Sequence, residues 1–495
     1  MTKRIWPAII QGGMGVAVSN WSLARAVSLV GQLGVVSGTS IDTVLMRRLQ
    51  DGDPTGQMRR ALAACPWPTL AEQVLKRFYL PHGRQPSQSY ARLPLWTLDP
   101  NRWRTTLAVL GGFAEVWLAK AGHAGVVGIN LLSKVALPNL AVIYGAMQAG
   151  VDVVLMGAGI PRDIPEALDR LSRHEPAMIR SEVVGMPAGE APWIRFNPQE
   201  YDTGSTVALK RPAFFPIIAA NSLATLMAKK SKGSIEGFVV EGPTAGGHNA
   251  PPRGIKQYDE LGQPVYTARD MVDLDALARM GYPFWLAGGY GSASGLESAW
   301  AKGATGIQVG SLFAYCRESG LDSGLKRQVM QSLREGPVFV RTDPLASPTG
   351  FPFKVVEVEH TLSEPETYRQ RQRICDLGYL REGFLDDRGR VRFRCAAEPI
   401  RDYVRKGGQL ADTYGRKCLC NGLLSAAGLA QLQASGTEPA IVTSGDSLQE
   451  VRALIPADGT DYSARDVVEY LLRSAVAPQS GPVDPMPESS RRCEA

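Results

Sequence analysis

The feature that most constrains this chain is an alternation. Eight short apolar runs, at residues 7–11, 33–37, 126–130, 151–156, 215–220, 235–241, 283–287 and 306–309, are separated by stretches with helical spacing. Continuous apolar runs of this length fit strands buried on both faces, as in a parallel sheet. Most end in glycine or a small polar residue: Gly12-Gly13, Gly38, Gly157, Asn221, Gly242, Gly288-Gly289 and Gly310-Ser311. After the first run, Ser19-Asn20 offers a cap for a helix that buries Leu23, Ala24, Val27 and Val30. Pro138 opens a helix after the third run, and Ser294 is placed to cap one after the seventh. Eight successive βα units predict an α/β fold, a TIM-type (β/α)8 barrel, over residues 1–335.

Two segments break the rhythm. Residues 50–100, with Pro66-Trp67-Pro68, Pro81, Pro86 and Pro94, read as an insertion after the second strand that forms a lid over the catalytic face. Residues 336–474 read as a separate C-terminal α+β appendage, and residues 475–495, rich in Pro, Ser and charge, as a disordered tail. Composition narrows the function classes. The net charge of +6 over 495 residues is mild and mixed along the chain, which gives no reason to invoke nucleic acid. No run reaches the ~18 apolar residues of a membrane helix, and no long apolar run opens the chain. The expectation is a cytoplasmic protein with a small-molecule substrate; a homo-oligomer is left open.

A barrel of this type carries its site at the C-terminal ends of the strands. Those ends read Gln11-Gly12-Gly13-Met14, Glu241-Gly242-Pro243-Thr244-Ala245-Gly246-Gly247-His248, Gly288-Gly289-Tyr290-Gly291-Ser292 and Gln308-Val309-Gly310-Ser311. Glycine lets a backbone approach a flat ligand closely, and glycine-rich ends on the last two strands, each followed by a helix N-terminus, suit a phosphate. The alternative is that these glycines only permit tight βα turns. Among five histidines (82, 123, 174, 248 and 360), His248 alone sits in a glycine-rich loop directly after a buried strand. Its near-neutral intrinsic pKa suits proton transfer; the alternative is a histidine that merely ties the loop.

These residues resemble a known family. Ile9-Ile10-Gln11-Gly12-Gly13-Met14 is similar to the opening of the nitronate monooxygenase (2-nitropropane dioxygenase) family. Ala245-Gly246-Gly247-His248 resembles the loop bearing its catalytic histidine. Leu286-Ala287-Gly288-Gly289 with Gly306-Ile307-Gln308-Val309-Gly310-Ser311 resembles its FMN-phosphate segment. The resemblance spans roughly residues 5–320. It implies FMN as cofactor, lined or held by Gln11, Gly12, Gly13, Met14, Asn130, Glu241, Gly246, Gly247, Gly288, Gly289, Gln308, Gly310 and Ser311. It also implies that His248 is the base that deprotonates a nitroalkane, with O2 completing oxidative denitrification.

Three departures put the substrate in question. Glu241 stands where many of that family have Gln, and Glu-Gly before the loop also resembles the flavin enoyl-acyl-carrier-protein reductases. A long loop follows His248, and the insertion and appendage are extra. The runner-up is therefore an FMN enzyme that uses NAD(P)H to reduce an enoyl thioester presented by a carrier protein. In the appendage, Arg388, Arg390, Arg392 and Arg394 alternate after the Asp386-Asp387-Arg388-Gly389 turn, which predicts a hairpin with one solvated arginine face. Cys375, Cys395, Cys418 and Cys420 cluster there as well. Buried thiols are one reading; zinc or an iron–sulfur cluster is the other.

Overall fold

The computed structural model describes residues 5–201, 204, 207–458 and 461–473. The predicted tail lies outside the described residues. Eight parallel strands form the barrel: β1 (Ile9–Gln11), β2 (Gly34–Ser37), β3 (Val127–Leu132), β4 (Val153–Gly157), β5 (Ala213–Ile218), β6 (Phe238–Glu241), β7 (Phe284–Ala287) and β8 (Gly306–Val309). They neighbour one another in the order β1-β8-β7-β6-β5-β4-β3-β2. A parallel bridge between Ile10 and Leu33 closes the ring, with Leu33 N–H donating to the Ile9 carbonyl at 3.0 Å and Gln11 N–H to the Leu33 carbonyl at 2.9 Å. Each predicted run overlaps its strand, and the fold is a (β/α)8 barrel.

Alternate strand residues divide between two cores. Ile10, Leu33, Val35, Val153, Leu155, Phe215, Val239 and Trp285 fill the barrel interior. Trp6 plugs its N-terminal end, its ring 4.9 Å from Phe215, which in turn stacks on Trp285 at 4.9 Å. With that end packed shut, a ligand space remains only at the C-terminal ends. The opposite strand faces pack under the helices; in the first of these, Trp21–Leu29, Leu23, Ala24 and Val27 are fully buried and the Asn20 side chain accepts from Leu23 N–H. Val30, expected in the core, is only half-buried. The helix after β7 (Ala293–Ala301) is capped by Ser292 and not by Ser294.

Both segments outside the rhythm are placed differently from expectation. The insertion forms helices Gln57–Ala63 and Pro68–Phe78, which pack on the long helix Arg102–Lys120 outside the barrel. Trp67 is buried there among Phe113, Tyr144 and Tyr201, and donates its indole N–H to the Tyr201 carbonyl at 2.8 Å. The apolar Trp67 and the amphipathic helix that follows it give the first half its own packing face, and the second half joins the appendage, Tyr90 N–H donating to Gln431 Oε1 at 2.8 Å; no residue of 50–100 lines the cavity described below, so the segment is a buttress. The expected appendage is not separate. The chain leaves after β8, builds the region to about 455, and returns as helix Ala464–Leu472, which packs against the helices after β1 and β7 and occupies the place of the eighth barrel helix. The appendage is thus inserted within the last βα unit.

Its hairpin forms as read: Glu382–Leu385 pairs antiparallel with Val391–Arg394. Arg390 and Arg392 share Asp386, and Arg394 pairs with Glu382. The sequence reading lacked the antiparallel pair Ala177–Arg180 with Trp193–Phe196, which lies between β4 and β5. The join to the barrel is polar and buried. Asp42 accepts from Arg104 Nε at 2.9 Å and from the Tyr379 hydroxyl at 2.5 Å, with the Arg104 and Asp42 side chains each 1% exposed. Satisfied on both sides, this pair fixes the appendage in one position; removing one partner would leave a buried charge.

Candidate active site

The C-terminal ends of the strands surround one cavity of about 220 Å³. Gly12, Gly13 and Met14 line it from β1, Asn130 from β3, Glu241 and the loop to His248 from β6, Gly288 and Gly289 from β7, and Gln308, Gly310 and Ser311 from β8. Twelve of the thirteen residues expected at a cofactor therefore meet in one place, together with His248. The exception is Gln11. Its side chain is fully buried beneath the turn, donating to the Ser19 hydroxyl at 2.8 Å and accepting from Val35 N–H at 2.9 Å. Gln11 shapes the Gly12–Met14 turn and does not reach the cavity, because a strand residue at this position points to the side of its neighbours.

Two glycines are demanded by the geometry. A Cβ on Gly13 would lie 2.1 Å from Asn130 Cβ. Gly288 has φ +83° and a Cβ there would lie 2.7 Å from Ala245 N. Both keep backbone flush with the cavity wall. Two amide side chains in the wall hold buried oxygens with no hydrogen-bond partner among the described residues, Asn130 Oδ1 and Gln308 Oε1. A buried carbonyl oxygen costs about 1–3 kcal/mol when unpaired, so each is an acceptor kept ready for a ligand donor. Near β7 and β8, the Ser311 hydroxyl accepts from Gly445 N–H at 2.9 Å, which leaves its own proton free to donate. The helix Ala293–Ala301 begins at the Gly288–Gly291 turn. Flat glycine backbone, orphaned acceptors for ring N–H groups, and hydroxyl and helix N-terminus donors for a phosphate fit FMN.

His248 Nε2 lies 2.8 Å from the Ser347 hydroxyl, which lies 2.8 Å from that of Thr349. The ring sits edge-on to Phe353 with centroids 4.9 Å apart. Burial lowers its pKa to about 4, so the imidazole is neutral at neutral pH. The Glu241 side chain makes no hydrogen bond or ion pair with the described residues, and burial raises its pKa to about 8. At neutral pH its carboxyl keeps its proton. The cavity thus holds a neutral base and a neutral acid, the pairing in which environments push two groups apart for opposite roles. None of the other four histidines lines the cavity; His174, for one, contacts Tyr144 and the Val207 carbonyl.

The sequence reading missed the far wall. Phe353, Tyr379, Leu380, Leu419, Leu423, and Ile441 to Gly445 come from the appendage. Thr443 Oγ1 accepts from Gly247 N–H at 2.9 Å, and Asp446 N–H donates to the Thr244 carbonyl at 3.0 Å, so this segment pins the histidine loop. One local signal existed: Ile441-Val442-Thr443-Ser444-Gly445 is an apolar pair running into hydroxyls and glycine, like the strand ends of the barrel. Of the four cysteines expected at a metal, none stands in a finished ligand set: among the described residues no three His, Cys, Asp or Glu side chains do. No helix among the described residues is long and apolar enough to cross a membrane.

Fold and cavity together define a (β/α)8 barrel with a cofactor-type pocket at its C-terminal face. The resemblance to the nitronate monooxygenase family holds: residues 199–343, which run from before β5 to beyond β8, match the model of that family. The chain is also 27% identical over 252 residues to (3aS,4S,5R,7aS)-5-hydroxy-7a-methyl-1-oxo-octahydro-1H-indene-4-carboxyl-CoA dehydrogenase of Mycobacterium tuberculosis (strain ATCC 25618 / H37Rv), a match covering 50% of this chain and 62% of that protein. The chain thus spans about three fifths of the length of this curated relative. Among solved structures, FabK from Thermotoga maritima aligns with a TM-score of 0.47 at 14% identity, covering 95% of this chain and 92% of that one. Nitroalkane oxidase from Streptomyces ansochromogenes aligns with a TM-score of 0.41 at 15% identity, covering 95% and 96%.

Proposed function

We propose that the protein is an FMN-dependent oxidoreductase of the nitronate monooxygenase type, acting on alkyl nitronates or nitroalkanes with O2. The observation that carries this reading is the meeting of His248 and Glu241 in a cavity whose barrel side is largely glycine backbone with two orphaned amide oxygens. FMN, when bound, supplies an acceptor for one or two electrons. Gly12, Gly13, Met14, Gly246, Gly247, Gly288 and Gly289 would lie against the ring, Asn130 and Gln308 would accept from its N–H edge, and Gly310 and Ser311 would hold the phosphate.

The chain's own residues do the rest. His248, neutral and oriented by Ser347, takes the proton from the carbon that bears the nitro group; a nitronate arrives without that proton and bypasses the step. Glu241, protonated, holds a proton beside the reacting centre and adds no negative charge to a site that must stabilise an anion. Leu380, Leu419 and Ile441 exclude water from the carbon chain of the substrate.

A second reading, NAD(P)H-dependent reduction of an enoyl thioester delivered by a carrier protein or coenzyme A, is favoured by two observations. One is the apolar wall, and the other is a relative whose substrate is a carboxyl-CoA. Air-free spectra of the flavin-loaded protein separate the two. Bleaching by a nitronate, with none by NADH or NADPH, supports the first reading. Rapid bleaching by a nicotinamide alone moves the assignment to the second. A protein that takes up no flavin overturns both.

A further inference from the structure

The four cysteines of the appendage, which the proposed reaction does not use, lie around a second cavity. It has a volume of about 10 Å³, and Cys375, Cys395, Cys418 and Cys420 all line it. They come from three separate places in the chain: the loop after helix Pro365–Gln370, the end of strand Val391–Arg394, and the start of helix Leu419–Ala426. Three unconnected segments rarely bring four thiols to one point for packing alone, since a buried thiol packs as well beside Leu or Ala. The rest of the lining is apolar or glycine, including Ile374, Leu377, Leu380 and Ala397, and offers no competing oxygen or nitrogen side-chain ligand.

Hydrogen-bond donors face the sulfurs. Asn421 Nδ2 donates to Cys418 Sγ at 3.7 Å. Backbone N–H groups point at three of the sulfurs: Ala397 at Cys395, Asn421 at Cys418, and Tyr379 and Leu380 at Cys420. Neutral thiols accept hydrogen bonds weakly, whereas N–H donors around thiolates are what tunes metal–sulfur centres. Two guanidiniums stand close, Arg381 toward Cys375 and Arg371 toward Cys418.

From this placement we infer that Cys375, Cys395, Cys418 and Cys420 form a tetrathiolate site for a single thiophilic divalent ion of the zinc class. The cavity has room for one ion or water-sized sphere. All four cysteines line it but do not form a ligand set as they stand, so binding requires the thiols to turn inward to metal–sulfur distances of about 2.3 Å. On binding, each sulfur gives up its proton to solvent and donates an electron pair to the ion, with no change of oxidation state. Four thiolates and a dication leave a net charge of −2; Arg381 stands toward it, while Arg371 is already paired with Glu438. Leu380, Leu419 and Cys420 line both this cavity and the larger one, so the ion would tie three segments together and hold the far wall of the active site.

The test uses the full chain, purified without metal-affinity steps. Plasma mass spectrometry and an acid-labile sulfide assay are run on the same sample. About one equivalent of zinc per chain, without sulfide, is the expected result. Co2+ added to chelator-treated protein should give the intense near-ultraviolet bands of cobalt–thiolate bonds, absent in Cys395→Ser. Asn421→Ala should weaken Co2+ binding about tenfold or more, as loss of a partner to a ligand does. Where a serine variant does not fold, alkylation of the unaltered chain decides: the four thiols should be protected together and exposed together by chelator. Iron with labile sulfide would overturn the single-ion assignment, and absence of metal with independent thiol reactivities would overturn the site itself.

Discussion

Replacing Glu241 with Gln should make the protein more stable, and by an amount that depends on pH. In the fold the carboxyl titrates at about 8, against an ordinary value of 4.5, because burial penalises the charged form. Below pH 4.5 it is protonated in both folded and unfolded chains and the site costs nothing. Above 4.5 the unfolded chain ionises while the folded one does not, so stability falls with rising pH until the folded group ionises too, near pH 8. The slope is about 1.4 kcal/mol per pH unit. Across the roughly 3.5 units of this window the penalty reaches on the order of 5 kcal/mol, and at pH 7 about 3 kcal/mol. Gln has the same shape and no charge, so Glu241→Gln removes the penalty. Urea unfolding of flavin-free wild type and variant at pH 5, 6, 7, 8 and 9 reads it directly: the difference should grow with pH and level off above about pH 8. A difference independent of pH, or one that shrinks as pH rises, would refute the argument that burial holds this carboxyl neutral.

Other outcomes follow from the same geometry. The kcat/KM profile on a neutral nitroalkane should be bell-shaped, with an acid limb near pH 4 from His248 and an alkaline limb near pH 8 from Glu241; an acid limb at pH 6.5 would mean the imidazole is not desolvated as the structure places it. His248→Ala should cost about 100-fold or more in turnover of the nitroalkane, far less with the preformed nitronate, and nothing in FMN affinity; equal losses on both substrates would remove it as the base. Because burial depresses its folded pKa, His248 costs the fold nothing above pH 6.5 and penalises it increasingly as pH falls toward 4, so His248→Gln should flatten the acid side of the stability profile measured by thermal unfolding. Arg104→Met strands Asp42 without its cation among buried groups and should destabilise by about 3–5 kcal/mol in urea unfolding, whereas the double replacement with Asp42→Leu should recover most of that.

The barrel was legible because its signals are local. A fully buried strand of four to six residues must be a continuous apolar run, and a backbone that approaches a ligand at the strand end must be glycine. The runs appear in the sequence at the eight places where the structure puts strands, and glycine follows six of them. His248 and the glycine pairs stood out for the same reason. What stayed hidden depends on contacts across the chain. Ser347 lies 99 residues from the histidine it orients, and neither it nor Thr443 carries a mark that distinguishes it from any loop hydroxyl. Gln11 misled because adjacency to Gly12 in sequence says nothing about which side of the strand its side chain takes. The insertion misled because proline-rich composition identifies a segment off the barrel rhythm without saying what it packs on; Trp67, buried against the long helix, and Tyr90, bonded to Gln431, show that only in the fold. The return of the chain as Ala464–Leu472 is a question of topology, and an amphipathic helix has the same pattern wherever it docks.

The account stands or falls on whether the cavity holds FMN where the glycines lie flush. Titrating FMN into flavin-free protein, with fluorescence and calorimetry read together, tests this most directly when paired with Gly12→Leu and Gly310→Leu. About one FMN per chain should bind to the wild type, and both variants should fold and lose it, because both positions line the cavity and a Cβ there meets no atom closer than 3.4 Å, which leaves the rest of the added side chain to take ligand space. Binding that is undiminished in both folded variants, or no binding to the wild type, would contradict the assignment of this cavity as a flavin site.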